Sequence, residues 1–299
     1  MNTKFNRPKG FGEILDLTFS LSKNRFKDFF TILLIFMGPF YALEALIRLG
    51  TGTSFFRQVG AGDTWFESMI TGLEDTGNIA SEVGVGFVGF LSIFIFPIGS
   101  AAILLAVNHL RKNEDFTIGS VIRQAFSRYW PIIGSSILFS LIIIGLVIVP
   151  IFVITIAGVI GAIAMPIAGI IFAIILFLGF AVGIGYLLTR WSFYFGSVVL
   201  QEESPGFSRS WTLTRGRAWA MMGLYIIFFL IISCISLALE FTFGLALGNS
   251  VLLSIIINLA TIFTTLIFSV GFAVMYFDLK IRHDADDLKD MIDNYNPTS

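Results

Sequence analysis

Apolar residues gather along this chain in long unbroken stretches, and polar residues are confined to the segments between them. The stretches lie near residues 29–48, 84–110, 131–157, 166–189, 218–241 and 251–277. A helix crosses a bilayer in about 20 residues, so each stretch is long enough to span. Tyr129 to Thr189 forms a run of 61 residues without Asp, Glu, Lys, Arg or His, which must cross more than once. At about 1.5 Å per residue that run reaches ~90 Å, room for two spans or three. Charge decides between them, because Lys and Arg collect in cytoplasmic loops. Two spans in the run put 17 of the 19 basic residues on one side and leave Arg48 and Arg57 opposite; three reduce the bias to ten against nine. The expected fold is therefore all-α, a single domain over residues 1–299 with six transmembrane helices. It sits in the cell membrane with both termini cytoplasmic. The hairpin within the run should turn near Gly158, Gly161 and Pro166, and Pro39, Pro97 and Pro150 should kink their helices. The outer face then holds one loop of about 35 residues, Gly50 to Gly84.

Three shorter segments carry a different pattern. Over 11–27, Phe11, Ile14, Leu15, Thr18, Phe19, Ser22 and Phe26 recur at the three-and-four spacing of one helix face. Over 117–130, Ile118, Val121, Ile122, Ala125, Phe126 and Tyr129 do the same. Over 205–215, Phe207, Trp211 and Thr214 form the stripe, and Ser204-Pro205 supplies an N-cap followed by a first-turn proline. Each segment precedes an odd-numbered span. The later two then continue alike, Arg128-Tyr-Trp130-Pro-Ile-Ile-Gly134 against Arg217-Ala-Trp219-Ala-Met-Met-Gly223, with Lys27-Asp-Phe29-Phe30 as a looser copy. This is the pattern of a threefold repeat, each unit an amphipathic helix in the headgroup layer leading into a transmembrane hairpin.

Composition narrows the function. Apolar residues make up 56% of the chain and charged residues 13%, about half the share of a soluble protein. That excludes a soluble enzyme and a disordered chain. A net charge of −1 gives no reason to expect a nucleic-acid partner, and Cys234 alone cannot form an intrachain disulfide. The two histidines, His109 and His283, have no partner for acid–base work on a phosphodiester. Gly84-Val-Gly86-Phe-Val-Gly89 matches a dinucleotide fingerprint, but that motif works only between a strand and a helix. Here it opens a span, so close helix packing is expected, as at Gly179-x-x-x-Gly183 and Gly244-x-x-x-Gly248. No catalytic, cofactor or metal residue is expected.

Two polar groupings remain as candidate sites. Glu44 and Arg48 sit one turn apart near the outer end of the first span, and Glu240 lies at similar depth in the fifth, so the three are read as an ion cluster. At the inner ends of spans four to six, Arg190, Glu202, Glu203, Arg209, Trp211, Arg215, Arg217 and Asp278 form a second cluster. It could pin the third amphipathic helix to the bundle, or cradle an anionic lipid headgroup or a protein partner.

Three phrases resemble a bacterial family, the membrane domain found beside some glycerophosphoryl diester phosphodiesterases. They are Gly10-Phe-Gly-Glu13-Ile-Leu-Asp16, then Glu202-Glu203 with Arg209-Ser210-Trp211-Thr-Leu213, then Tyr276-Phe277-Asp278-Leu279-Lys280. No phosphodiesterase domain accompanies them, and the tail His283-Asp-Ala-Asp-Asp287 lacks the glycine that usually follows the closing phrase. The resemblance implies a six-span domain without chemistry of its own. The function expected is a scaffold or accessory subunit that organises lipid or a partner at the inner leaflet. The alternative is a transporter, an export-accessory component or a self-protection protein handling a lipid or peptide. A continuous polar path would favour transport and a sealed core the scaffold.

Overall fold

The computed structural model describes residues 7–56, 79–164, 166–248 and 250–295. Its elements are α1 (Phe11–Asn24), α2 (Phe26–Gly50), α3 (Ile79–Ser92), α4 (Phe96–Lys112), α5 (Ile118–Phe126) and α6 (Tyr129–Ala164), then α7 (Pro166–Ser192), α8 (Tyr194–Val199), α9 (Phe207–Leu213), α10 (Ala218–Leu247) and α11 (Val251–Tyr295). No strand occurs among the described residues. Six helical stretches are long and apolar enough to cross a membrane: Phe26–Gly50, Ile79–Lys112, Tyr129–Gly161, Ile167–Val199, Ala218–Gly244 and Val251–His283. The chain is a multi-pass, all-α membrane protein. Most of the expected outer loop, with Arg57, Asp63, Glu67, Glu74 and Asp75, lies outside the described residues.

The chain divides into two compact units. The first comprises residues 1–127 and 226–278. There α2 packs against α1, α3, α4 and α5. Its core is apolar and dense: Ile98, Ala101, Ala102, Ile103, Leu104, Ala106 and Val107 of α4 are fully buried. Two glycines permit close helix contact. A Cβ on Gly84 would stand 2.7 Å from Ile47 Cγ2, and one on Gly271 would stand 2.5 Å from the Phe228 ring. Only the first glycine of the fingerprint works this way, since Gly86 and Gly89 face open space. Of the three prolines expected to kink their helices, one stands at a helix break. Pro97 follows a turn at residues 93–95, closed by i→i−3 bonds from Ile93 and Phe94, where α3 gives way to α4. A proline cannot donate to the helical ladder, so the helix stops and restarts there. Pro39 and Pro150 lie inside uninterrupted helices.

The second unit comprises residues 128–225 and 279–299. Its centre is the hairpin of α6, which ends at Ala164, and α7, which begins at Pro166, one of the residues at which the sequence predicts the turn. Gly161 and Gly169 meet backbone to backbone there, and a Cβ on Gly161 would stand 2.6 Å from Gly169 Cα. Gly179, Gly183 and Gly244, expected at close contacts, face open space.

The three short leading helices keep part of their predicted faces. In α1, Ile14, Thr18 and Ser22 are buried as expected, but Leu17 and Leu21 join them. Phe11, Phe19 and Phe26 stay exposed. In α5, Val121 and Ala125 are buried and Phe126 is exposed. In α9, Ser210, Leu213 and Thr214 are buried, whereas Trp211 is exposed. Each stripe thus packs small or aliphatic members onto protein and leaves an aromatic outward (Phe11, Phe19 and Phe26; Phe126; Trp211), while Phe207 and Tyr129 are half-buried.

Candidate functional site

The first cluster lies in the first unit. Positions four apart share a helix face, and on α2 this brings Arg48 Nε to 3.0 Å from Glu44 Oε1. Asn258 of α11 donates its Nδ2 to the other carboxylate oxygen at 3.1 Å. Glu44 is 15% exposed and Arg48 28%, so the pair sits where water is scarce and a missing partner would be felt. Glu240 does not complete the triad. It is exposed, and no ion pair joins it to Arg48 among the described residues. An amide fills the place expected for the second acid. Nearby, Val251 and Leu252 donate their backbone N–H groups to the carbonyls of Ser54 and Phe55, both at 3.1 Å. Those bonds satisfy donors that the first turn of α11 would otherwise leave open.

The second cluster lies in the second unit and is tighter. Arg190, at the end of α7, donates Nη2 to the Trp211 carbonyl at 2.7 Å and Nε to Thr214 Oγ1 at 3.2 Å. Its guanidinium lies over the Trp211 ring, 3.7 Å from the centroid, close enough for a cation–π contact worth about 1 kcal/mol. Ser210 Oγ returns a bond to the Arg190 carbonyl at 2.7 Å. The end of α7 and the short helix α9 thus hold each other from both sides. Glu202 joins a second pair of segments: Oε2 stands 3.4 Å from Arg209 Nε, and Oε1 accepts from Lys280 Nζ of α11 at 2.5 Å. Glu203 accepts from the Arg209 backbone N–H at 2.9 Å.

Local backbone geometry sets α9 in place. The expected cap at Ser204-Pro205 gives way to Gly206, whose φ of +80° is in the left-handed region that glycine enters without steric cost. A Cβ there would come within 2.7 Å of the Tyr194 carbonyl oxygen. Space, as well as φ, therefore requires glycine. Phe207 then stacks near Tyr194, with ring centroids 5.0 Å apart.

Of the predicted inner residues, the structure brings together Arg190 with Trp211, and Glu202 and Glu203 with Arg209. Asp278 belongs to the first unit; it is buried and accepts the Lys9 backbone N–H at 2.6 Å. The residue just before the opening phrase thus meets the closing phrase. Arg215 is exposed, and Arg217 is half-buried. Sequence reading missed Asn258, Lys280, Thr214 and Lys9 as partners. Only Asn258 carried a signal, as a lone amide in an apolar span.

No curated protein and no solved structure matches the chain. One family model does, over residues 40–279, from within α2 to the closing Leu279. Its description states no activity, and it covers both clusters apart from Lys280 and Lys9. The chain belongs to the family described as a domain of unknown function, DUF7847.

Proposed function

We propose that this protein is a non-catalytic membrane module, a scaffold or accessory subunit that holds anionic lipid or a protein partner at the inner leaflet of the cell membrane. The observation that carries this reading is how its buried polar groups are used. Arg190, Glu202 and Arg209 bond to segments of the protein itself and fix α9 to the end of α7. In the first unit the fully buried face of α4 is apolar, and a polar contact of α4 with α11 is the weak Ser269–Ser100 hydroxyl pair at 3.4 Å. A coupled transporter normally keeps carboxylates near mid-membrane. Glu44 is instead tied to Arg48 and Asn258. The exposed aromatic edges of α1, α5 and α9 suit helices lying in a headgroup layer, which supports the predicted threefold arrangement. The resemblance to membrane domains beside phosphodiesterases accords with a module that supports chemistry done elsewhere. Extraction of the protein with its surrounding lipids into polymer nanodiscs, followed by native mass spectrometry, tests the reading. We expect anionic phospholipid enriched over its share of the bulk membrane. Bulk proportions and no co-purifying subunit would overturn it.

A further inference from the structure

Three membrane-spanning helices begin directly after an arginine: α2 after Arg25, α6 after Arg128 and α10 after Arg217. In each case the arginine carbonyl accepts the N–H four residues on, from Phe29, Ile132 and Met221, at 3.0–3.1 Å. Burial follows one register around all three. Seven residues before the arginine stand Thr18, Val121 and Ser210; three before it stand Ser22, Ala125 and Thr214; all six are buried. The residues four and seven after it are buried as well, Phe29 with Ile32, Ile132 with Ser135, and Met221 with Leu224. Two after it, Lys27, Trp130 and Trp219 are exposed, the tryptophans by 79% and 61%. The first junction is thus registered on Arg25, two residues before the Lys27 that sequence comparison selects.

The junctions differ in what answers the arginine. At the first, Asp28, three residues on, brings its carboxylate to 3.4 Å from Arg25 Nη1. The same place holds Pro131 in the second and Ala220 in the third, and neither can answer a charge. Arg128 and Arg217 make no ion pair among the described residues, and the Nε of each is buried without a hydrogen-bond partner. A guanidinium carries five donors suited to phosphate oxygens. An exposed tryptophan two residues away belongs at the headgroup level of a bilayer.

We propose that the three junctions are copies of one motif, and that Arg128 with Trp130 and Arg217 with Trp219 each bind the phosphate of an anionic phospholipid. In the first copy the Asp28 carboxylate occupies the anion's place. This rests on the inner-leaflet reading above and names where the lipid is held. Arg209 is not the contact, because Glu202 already answers it.

The internal control supplies the test. Protein purified in detergent is mixed with phosphatidylglycerol and phosphatidylcholine, and retained lipid is counted by native mass spectrometry. Ala220→Asp copies the first junction onto the third without touching its arginine, and should weaken phosphatidylglycerol retention at that site roughly tenfold. Asp28→Ala opens the first junction and should add a retained phosphatidylglycerol. Asp28 lies at an exposed pair, so this variant keeps the fold and remains informative even if Ala220→Asp misfolds. Excess inorganic phosphate should not displace the lipid, whose chains hold it in the bilayer plane; displacement would identify a free-anion site and overturn the lipid assignment. If phosphatidylglycerol is preferred but neither variant changes its retention, the two sites are wrong while the inner-leaflet reading stands. If no variant, the wild type included, prefers phosphatidylglycerol, both fail.

Discussion

A carboxylate only 15% exposed among apolar side chains needs its charge answered, and Glu44 is answered by Arg48 and Asn258. Arg48→Ala should cost about 1–2 kcal/mol, because the acid keeps one neutral donor in place of a charged one. Glu44→Gln in that background should recover part of the loss by removing the stranded charge. Glu240→Ala should stay within about 0.5 kcal/mol, as for an exposed side chain without a pair. Unfolding in mixed micelles titrated with dodecyl sulfate measures all three, and equal small effects would mean that the charges are solvated and independent. The i, i+4 pair was legible in the sequence because helix geometry alone determines it. The third partner was not: Asn258 lies 214 residues from Glu44, and only packing brings α11 to that face of α2. Asp278 illustrates the same limit in reverse. Its charge suggested the arginine cluster, whereas tertiary structure gives it a backbone N–H at Lys9.

At the scale of elements, hydrophobic length placed every span, since nothing but a helix satisfies its own backbone across a bilayer. Ends and faces were harder to read. The stripe on α9 pointed to Trp211, but amphipathic spacing cannot tell a residue buried by protein from one left for lipid, and Ser210, Leu213 and Thr214 took the protein side. The start of α9 escaped because the tight approach of Gly206 to the Tyr194 carbonyl is a distant contact. Gly206→Ala should therefore cost about 1–2 kcal/mol for the left-handed backbone alone, with the 2.7 Å approach adding to it. Arg190→Lys should loosen the same helix, since lysine keeps the charge and loses the fork that reaches both Trp211 and Thr214. Limited trypsin digestion at Arg209 and Arg215 should speed up in both variants; unchanged cleavage would show that α9 is held by its apolar contacts instead. Gly119→Ala, in open space on α5, should do the opposite and stabilise by up to about 1 kcal/mol.

At the scale of the whole molecule, six apolar stretches became six candidate spans, and the count carries an orientation with it. Successive spans alternate sides, so an even number returns both termini to one face. Four segments would then share that face: the amino terminus, residues 111–130, residues 190–217 and the carboxyl tail, with the hairpin at Gly161 and Gly169 turning opposite. Seventeen of the 19 basic residues fall in those segments, and from the positive-inside bias we propose that this face is cytoplasmic. Labelling distinguishes this from its inverse. In a Cys234→Ser background, a cysteine at Ser208, which is exposed beside α9, should resist a membrane-impermeant maleimide in intact cells and react once the cells are opened. A cysteine at Thr76, outside the described residues in the segment between α2 and α3, should react in intact cells. The pair of sites is chosen because each controls for the other. An odd number of spans between them would place both reactive groups as stated, whereas an unfolded or leaky preparation would label both. Labelling of Ser208→Cys from outside, with Thr76→Cys protected, would invert the topology and move every arginine of the α6 and α10 junctions to the outer leaflet.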